Sequence, residues 1–384
     1  ALVCGTRGRW FESTLLYHKM TKEKKNKPSK ELPLGFVDRQ EKELLVRDFI
    51  ISNIKEVMIK YGFQYLETPS FEFSDSIGKF LPDKDRPDEG VFSFKDESKW
   101  LSLRYDLTAP LARYVAKNYL EIPKPFKRYQ LGTVWRNEKP GPGRFREFLQ
   151  FDADFVGTKS LQADAELCVM ISEILENCGL TKSEYIVKIS SRKITEELFK
   201  KIDLKDEKQR LTILRALDKI DRLGWDGAKE LLGAGRKDKS GDFTKGANLT
   251  SKEIEIIKEA LKKKLPETED LIEILKIFKD YNFINYEFDP SIIRGLEYYT
   301  GVIFEVNLKF DVLNSKGQVI QFGSIGGGGR YDNLVNNFGN FEAPATGISI
   351  GLDRLVYALM QKKEFKVKQS KPVVICVFDK NSMK

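Results

Sequence analysis

The first long pattern in the chain is an apolar stripe at helical spacing between residues 38 and 61. Its apolar side chains return every three or four positions, as on one face of an α-helix: Leu44, Leu45, Phe49, Ile50, Ile54, Val57 and Met58. Gly62 follows in the position of a helix C-cap. The stripe predicts a helix packed on a core, followed by a short strand that ends at Pro69.

Residues 128 to 157 alternate with a period of two on both sides of a loop rich in Gly and Pro, which predicts a β-hairpin. Antiparallel pairing would bring the polar rows of both strands to one side. These rows are Arg128, Gln130 and Arg136 on the first strand, and Arg144, Arg146, Phe148, Gln150, Asp152 and Asp154 on the second. Alternation alone favours a solvated face. The amide and carboxylates opposite several arginines favour a ligand floor instead, because arginine forks suit phosphates.

Segments with helical spacing and segments with the strand period of two follow the hairpin. They predict a helix at about 161–178, a strand at 185–190, mainly helical sequence to about 285, strands at about 298–308 and 318–325, and a strand running into a helix at 344–361. Residues 372–378 resemble the buried first strand of another domain, since nearly all of them are apolar.

Composition narrows the class of protein. With 384 residues, 41% of them hydrophobic, the chain is long enough for two domains and a sizeable core. The net charge of +8 is typical of a solvated basic surface and of weak attraction to polyanions. Four cysteines without a CxxC pair and a single histidine lack the ligands of a structural zinc site. No apolar run is long enough to predict a membrane span.

Residues 102–110 predict a strand that meets a helix, with Thr108 as the N-cap. Alternation groups Arg104, Asp106 and Thr108 on one side. An acid and a hydroxyl at a strand end can hold an ammonium group. A capped helix with surface charges explains the same pattern equally well.

Two further segments carry an arginine or a run of glycines. Arg294 stands between apolar residues just before Tyr298 and Tyr299, and a buried arginine needs an anionic partner. That partner is either a structural carboxylate or a substrate anion. The four glycines at 326–329 allow a ligand to approach the backbone closely, although such residues are also ordinary turn material.

The last candidate segment is 347–355, where a strand runs into a helix near Gly351. Arg354 would lie in the first helical turn. Helix N-termini attract anions through free N–H groups and the helix dipole, so an arginine there strengthens a phosphate interpretation. A salt bridge at the helix start, with Asp353 or another acid, is the structural alternative.

In this order, the segments resemble the histidyl-tRNA synthetase family from about residue 32 to the end. The most specific part is Arg-Gly-Leu-Glu-Tyr-Tyr-Thr-Gly at 294–301, which is similar to the histidine signature of that family. The hairpin at 128–157 resembles class II motif 2, and 347–355 resembles motif 3. Residues 38–69 resemble motif 1, which forms the dimer interface in this family.

The resemblance implies an α+β class II fold, in which helices flank an antiparallel six-stranded sheet and a helical insertion interrupts it. We predict five segments on this basis. They are a disordered or non-native extension at 1–31, the catalytic core at 32–180 and 286–365, a mainly helical insertion at 181–285, and a linker with the start of a truncated anticodon-binding domain at 366–384.

The resemblance also implies the chemistry: histidine is activated with ATP and Mg²⁺, which is bound mainly through ATP, and is transferred to tRNA(His). The enzyme is expected to be a cytoplasmic homodimer without structural zinc or membrane segment. The implied roles are Arg136 at the ATP α-phosphate, Glu138 on the adenine side, Arg354 at the γ-phosphate, Arg294 at the α-phosphate and histidine carboxylate, Asp106 and Thr108 at the α-amino group, and Gln150, Asp152, Asp154, Tyr298 and Tyr299 in the histidine pocket.

The chain departs from the family pattern in two places. Many members have Arg-Pro-Glu where this chain has Arg104, Tyr105 and Asp106, so the carboxylate is one methylene shorter. The run Gln-Phe-Asp-Ala-Asp leaves open whether Asp152 or Asp154 contacts the imidazole.

Two rival functions share much of the pattern. A synthetase-like regulatory subunit of ATP phosphoribosyltransferase has the same core and binds histidine without catalysis. Arg136, Arg354, the tyrosine signature and the helical insertion favour a working synthetase. A prolyl or threonyl synthetase is the more distant rival, and the signature at 294–301 argues against it.

Overall fold

The structure is a computed structural model. It describes residues 29–78, 90–141, 143–238, 241–293, 299–314, 316–320, 322–362 and 365, except for the side chains of residues 221 and 222. The α-helices are α1 (Glu41–Lys60), α2 (Ser74–Gly78), α3 (Thr108–Lys117), α4 (Leu161–Asn177), α5 (Arg192–Lys201), α6 (Glu207–Leu217), α7 (Ile220–Leu232), α8 (Ser251–Leu261), α9 (Glu269–Asp280) and α10 (Leu352–Leu359), and a 3₁₀ turn spans Val335–Phe338.

The strands are β1 (Gln64–Tyr65), β2 (Phe71–Phe73), β3 (Ser93–Asp96), β4 (Lys99–Leu103), β5 (Phe126–Trp135), β6 (Glu147–Val156), β7 (Tyr185–Ser191), β8 (Gly235–Lys237), β9 (Phe243–Lys245), β10 (Tyr286–Phe288), β11 (Val302–Leu308), β12 (Val312–Leu313), β13 (Val319–Ile320), β14 (Ser324–Arg330) and β15 (Ala345–Gly351). The helices predicted near 38–61 and 161–178 and the strand-to-helix junction in 344–361 are therefore confirmed.

Eight strands form the central sheet, in the order β1-β5-β6-β15-β14-β11-β7-β10. The six strands from β5 to β7 in this order pair with one another antiparallel. The edge strands pair in parallel, β1 with β5 and β10 with β7. This confirms the α+β fold, in which helices flank an antiparallel sheet. The two short parallel edges are an addition to the six strands that the resemblance implies.

The two faces of the sheet differ because strand side chains alternate. On one face, Tyr129, Ala153 and Ile348 lie side by side on β5, β6 and β15. They belong to the main hydrophobic core, which α1, α4, α9 and α10 cover. The opposite face carries the polar row of the hairpin, so the helices leave that face to the candidate site.

Between β7 and β10 the chain departs from the sheet. Helices α5 to α8 enclose a second hydrophobic cluster, which includes Phe199, Leu217, Leu232 and Ile257. Helix α9 instead packs against α4 over the main core. The predicted division at 181–285 remains a prediction; within it, β7 and α9 belong to the layers of the sheet.

The glycine run at 326–329 is not a turn, as one interpretation of the sequence had it. These residues lie in β14, paired with β11 on one side and β15 on the other. A Cβ on Gly328 would lie 2.0 Å from the carbonyl oxygen of Gly347 on the next strand. Only glycine fits here, because the two backbones approach too closely for a side chain.

Two predicted segments at the ends of the chain cannot be compared with the structure. The strand predicted at 372–378 and nearly all of the extension at 1–31 lie outside the described residues. Within the described ranges, no helix is long and apolar enough to cross a membrane.

Candidate active site

The polar rows of β5 and β6 face the same side of the sheet. Arg128 pairs with Asp154, and Gln130 pairs with Asp152, so each arginine or amide stands beside a carboxylate. The predicted common side is therefore confirmed for the residues within β5 and β6, whereas Arg136, Arg144 and Arg146 lie between the two strands. The solvated face is wrong as an explanation, because Arg128 is 0%, Asp152 1% and Asp154 2% exposed. Burying such groups without matching partners is costly, so their contacts decide whether the arrangement is stable.

Asp154 is held from two sides. Its Oδ2 lies 3.1 Å from Nη2 of Arg128, and its Oδ1 accepts a hydrogen bond from the Tyr331 hydroxyl. On β15, Gly347 pairs with Asp154, and a Cβ there would lie 2.0 Å from the Asp154 Oδ1. Glycine at 347 is therefore what gives the carboxylate its room.

Asp152 faces the start of α3. Its Oδ1 accepts from Gln150 Nε2 at 2.7 Å, and its Oδ2 accepts from Thr108 Oγ1 at 3.3 Å. Burial raises the pKa of the Asp152 carboxyl to about 7, the neighbouring Asp154 charge adds to this, and Arg128 opposes it. Burial likewise raises the pKa of Asp154, against Arg128 and the Tyr331 hydrogen bond. The two carboxylates thus compete for ionisation in a dry site.

The first turn of α3 brings an acid and a hydroxyl together, as predicted, but the roles differ. Asp106 Oδ1 accepts from the backbone N–H of Thr108 at 3.2 Å and of Ala109 at 2.9 Å. Thr108 is the first helical residue rather than the N-cap, and Leu107 at the N-cap has no capping side-chain bond. The Asp106 carboxylate therefore satisfies the helix N-terminus, which leaves the Thr108 hydroxyl for Asp152.

Arg104 is structural in its described contacts. It is 6% exposed, and its guanidinium donates to the carbonyl oxygens of Thr133 and Thr68, each at 2.7 Å. A Cβ on Gly132 of β5 would lie 2.6 Å from its Nη2. The arginine thus joins the end of β4 to β5. Its guanidinium makes none of the hydrogen bonds described for Asp106 and Thr108.

Arg136 lies just beyond the end of β5. Its Nε donates to the Tyr105 carbonyl oxygen at 3.2 Å, and its Cζ stands 4.4 Å from the Tyr105 ring centroid. The Tyr105 hydroxyl donates at 2.7 Å to Glu138, which also pairs with Arg144. Burial favours the neutral form of Glu138, yet Tyr105, Arg136 and Arg144 together lower its pKa. This cluster gives one end of the site a planar cation and an ionised carboxylate.

Arg354 lies in the first turn of α10, as predicted. The expected alternative, a salt bridge at the helix start, involves its neighbour: Asp353 lies 3.1 Å from Nη2 of Arg39 and accepts the Leu149 N–H at 2.8 Å. The Arg354 guanidinium stacks over Phe322, with Cζ 4.7 Å from the ring centroid. Asp353 therefore joins α10 to β6 while Arg354 lies against an aromatic face.

Arg294 and Tyr298 lie outside the described residues, so their predicted roles remain predictions. Tyr299 is described; it packs against the apolar cluster that contains Tyr331, and its Cδ1 would lie 3.4 Å from a Cβ on Gly329.

Five of the predicted site residues form one continuous group: Asp106, Thr108, Gln150, Asp152 and Asp154. The roles predicted for them are not tested by these contacts. Sequence reasoning gave no role to Tyr331 or Gly347, which hold or make room for Asp154. Their only signal was position: Gly347 begins the segment 347–355 that was singled out, and Tyr331 comes soon after the glycine run at 326–329.

The sequence matches the family model described as histidyl-tRNA synthetase over residues 35–355. The histidine–tRNA ligase of Bartonella quintana (strain Toulouse) is 48% identical, over 93% of this chain and 77% of the relative. The histidine–tRNA ligase of Rhizobium meliloti (strain 1021) is 47% identical, over 94% of this chain and 77% of the relative.

Solved structures agree. The histidyl-tRNA synthetase from Nostoc sp. PCC 7120 superposes with a TM-score of 0.69 at 26% identity, covering 87% of this chain and 76% of that one. A Bacillus halodurans protein, described as an ATP phosphoribosyltransferase regulatory subunit/histidyl-tRNA synthetase, superposes with a TM-score of 0.66 at 24% identity, covering 86% and 84%, and this supports the fold alone. From its sequence match and from the sheet that carries the site, the chain belongs to the histidyl-tRNA synthetase family.

Proposed function

We propose that the protein activates histidine with ATP to histidyl-adenylate and transfers the histidyl group to tRNA(His). The observation that carries the proposal is the buried floor of Gln150, Asp152 and Asp154 on one face of the sheet, with Arg136 just beyond the end of β5 and the start of α10 next to Gln150. Carboxylates and an amide suit an amino acid that brings an ammonium group and ring N–H groups. Arginines at the ends suit phosphates.

In the first step, a histidine carboxylate oxygen attacks the α-phosphorus of ATP, and pyrophosphate leaves with the electron pair of the broken P–O bond. Two anions must meet, so negative charge builds up on the α-phosphate oxygens. Arg136 is the described residue assigned to that charge, and stacking against Tyr105 holds its guanidinium in one plane. Arg294 is assigned to the same phosphate on the resemblance alone.

The ends of the nucleotide are assigned to separate elements. Glu138, kept ionised by its neighbours, would face the adenine, and Arg354 at the start of α10 would face the γ-phosphate. Mg²⁺ would enter mainly with the phosphates of ATP and offset part of their charge. An attacking carboxylate needs no protein base, so the protein has only to bind and orient the reactants.

At the amino-acid end, Asp106 and Thr108 are assigned to the α-amino group. Asp152, which accepts from the Thr108 hydroxyl, lies on that side, whereas Asp154 lies with Tyr331 on the other. We therefore assign Asp154 to the imidazole, together with Tyr299 and, by resemblance, Tyr298.

In the second step, a ribose hydroxyl at the 3′ end of tRNA(His) attacks the adenylate carbonyl, and AMP leaves. The net charge of +8 favours approach of the polyanion, although charge alone carries no specificity.

ATP–pyrophosphate exchange, measured separately with each of the amino acids, tests the first step. We expect exchange with histidine alone, in the presence of ATP and Mg²⁺. Exchange with another amino acid instead would contradict the specificity. A folded protein that binds histidine but exchanges nothing would support a regulatory subunit.

We also propose that the protein is a cytoplasmic homodimer. The small sheet of β2, β3 and β4 presents aromatic rings to solvent: Phe71, Phe73 and Phe94 are each at least 44% exposed. Phe71 and Phe94 meet edge to face at 5.4 Å between centroids. Such a patch is typical of an association surface, and it lies next to the segment that resembles motif 1.

Light scattering on Phe71→Arg tests this surface. We expect the variant to shift from dimer to monomer, because a charge would be buried between two copies. Leu120→Arg, at a side chain that is 93% exposed, is the matched control and should leave the mass unchanged. A monomeric parent protein would refute the dimer.

A further inference from the structure

Arg128 is a buried cation that the proposed reaction does not use. It is 0% exposed, although a guanidinium is among the most expensive groups to bury. Its Nη2 donates to the Leu107 carbonyl oxygen at 2.9 Å and lies 3.1 Å from Asp154 Oδ2. Its Nε and Nη1 have no hydrogen-bond partner within the described part of the chain. A purely structural arginine would be expected to use more of its donors.

The groups around the two aspartates come from five elements. They are Arg128 on β5, Gln150 on β6, Asp106 and Thr108 at the start of α3, Ser349 on β15 and Tyr331 after β14, while the charge of Arg104 also acts on Asp152. Asp106 is a third negative charge, and Tyr331 and Thr108 are neutral donors. Arg128 makes a close ion pair with Asp154, and the charges of both Arg136 and Arg128 act on Asp106.

Electrostatics explains why a cation belongs beside the two carboxylates. Two carboxylates on alternate residues of one strand, both buried, repel each other, and the easiest relief is to bind a proton. Burial raises the pKa of both, and the charge of Arg128 lowers both. A protonated carboxyl would present an O–H donor to the ammonium and N–H groups of the amino acid, where an acceptor is required.

We propose that Arg128 is a positioning residue for amino-acid recognition, which fixes Asp154 and keeps Asp152 and Asp154 together as anionic acceptors without itself touching the substrate. The proposal rests on the proposed function, since it explains how the floor of that site accepts histidine. Tyr331 assists by holding the other Asp154 oxygen. Arg128 thus acts through the aspartates and has no contact with ATP.

The test is steady-state ATP–pyrophosphate exchange by Arg128→Leu, with KM for histidine and KM for ATP measured between about pH 6.5 and pH 8.5. A neighbouring cation lowers a carboxyl pKa by roughly 1–3 units, so its loss should raise KM for histidine about tenfold or more at the acid end. The ratio of variant to parent should shrink toward the alkaline end, where the carboxyls ionise again. KM for ATP should change by less than about twofold.

Taking that ratio at each pH cancels the titration of histidine itself. Arg128→Lys keeps the positive charge but lacks the planar guanidinium. Its KM for histidine should depend on pH nearly as in the parent protein, but should stay higher than the parent value. Tyr331→Phe removes one hydrogen bond to Asp154 and keeps the ring, so it should raise KM for histidine in the same direction by a smaller factor. Arg236→Leu, in the helical segment, is the matched control and should change neither KM.

An increase in KM for histidine that is equal at every pH, or that is matched by KM for ATP, would overturn the proposal and leave Arg128 a structural residue. If Arg128→Leu does not fold, Arg128→Lys and Tyr331→Phe decide, and parent-like values in both would also overturn it. Failure of the parent protein to exchange with histidine would instead refute the proposed function, and the two failures are therefore distinguishable.

Discussion

The floor of the central sheet and the helical segment from α5 to α8 are both rich in charge, but they use it differently. On the floor, Arg128 and Asp154 pair at 3.1 Å with side chains that are 0% and 3% exposed. At the C-terminal end of α8, Lys262 and Glu259 pair at 2.7 Å with side chains that are 57% and 61% exposed. The distances are similar, and the surroundings are opposite.

The difference teaches that burial, rather than the number of ion pairs, decides how much an ion pair contributes. Water and salt screen the exposed pair, which therefore contributes little. The buried pair interacts in a medium of low polarity, where leaving one charge unmatched is expensive. On the floor we assign the buried charge to recognition of the amino acid, whereas the buried Arg104 and Asp353 join elements of the fold. Changes on the floor should alter activity, and matched changes in the helical segment should not.

The largest expected effect comes from Arg136→Ala. Loss of a cation that stabilises charge developing in a transition state typically lowers the rate about 10²–10³-fold. We expect a fall of this size in the rate constant for histidine-dependent pyrophosphate exchange, with the melting temperature little changed. Arg236→Ala, whose side chain pairs with Glu230 in the helical segment, is the control. An unchanged rate in Arg136→Ala would remove this residue from the reaction.

A core truncation in each region separates stability from activity. Ile348, on the apolar face of β15, is 1% exposed, and Ile257, in the second cluster, is 0% exposed. Each change to alanine should destabilise its own region by about 2–5 kcal/mol. Unfolding in urea is followed by circular dichroism and by ATP–pyrophosphate exchange. Ile348→Ala should lose activity at a lower urea concentration than Ile257→Ala. Equal loss of activity would mean that the regions unfold together.

Asp152→Asn should weaken histidine binding and stabilise the protein at alkaline pH. The Asp152 carboxyl titrates near its ordinary value of 3.8 when unfolded, whereas burial raises its pKa to about 7 in the folded protein. As pH rises between these values, only the folded form retains the proton, so ionisation lowers folding stability. The asparagine variant should therefore melt higher than its parent at about pH 8, and the advantage should shrink toward pH 5.

The pH range can be checked with calorimetry and exchange on the same samples. A higher melting temperature together with a higher KM for histidine would identify Asp152 as a group kept for function at the expense of stability. A melting difference that does not depend on pH would contradict the assigned ionisation.

The smallest effect should come from Lys262→Ala. Its ammonium pairs with Glu259 on the exposed side of the helical segment, where water screens both charges. We expect no measurable change in melting temperature or in pyrophosphate exchange. A clear loss of exchange would break the contrast between the two regions, because an exposed charge far from the floor would then matter to the reaction.

Local patterns along the chain were enough to predict much of this arrangement. A period of two can exist only on a strand, so the alternation in 128–157 already put Arg128 and Asp154 on one side of a hairpin. The helical spacing near 38–61 and the junction before Arg354 were equally readable. The local backbone conformation sets the period of two in a strand and of 3.6 in a helix. These patterns can therefore be read from the sequence without knowing which distant residues are in contact.

Tertiary structure decided what those faces meet. Tyr331 reaches Asp154 from 177 positions away, and β15 brings Gly347 against the same carboxylate. In the folded protein, the Asp106 carboxylate, and not the Thr108 hydroxyl, accepts the hydrogen bonds of the N–H groups at the start of α3. A solvated face and a buried binding floor have the same alternation, because alternation records only which way side chains point. Whether water or another strand covers them depends on contacts between residues that are far apart in the chain.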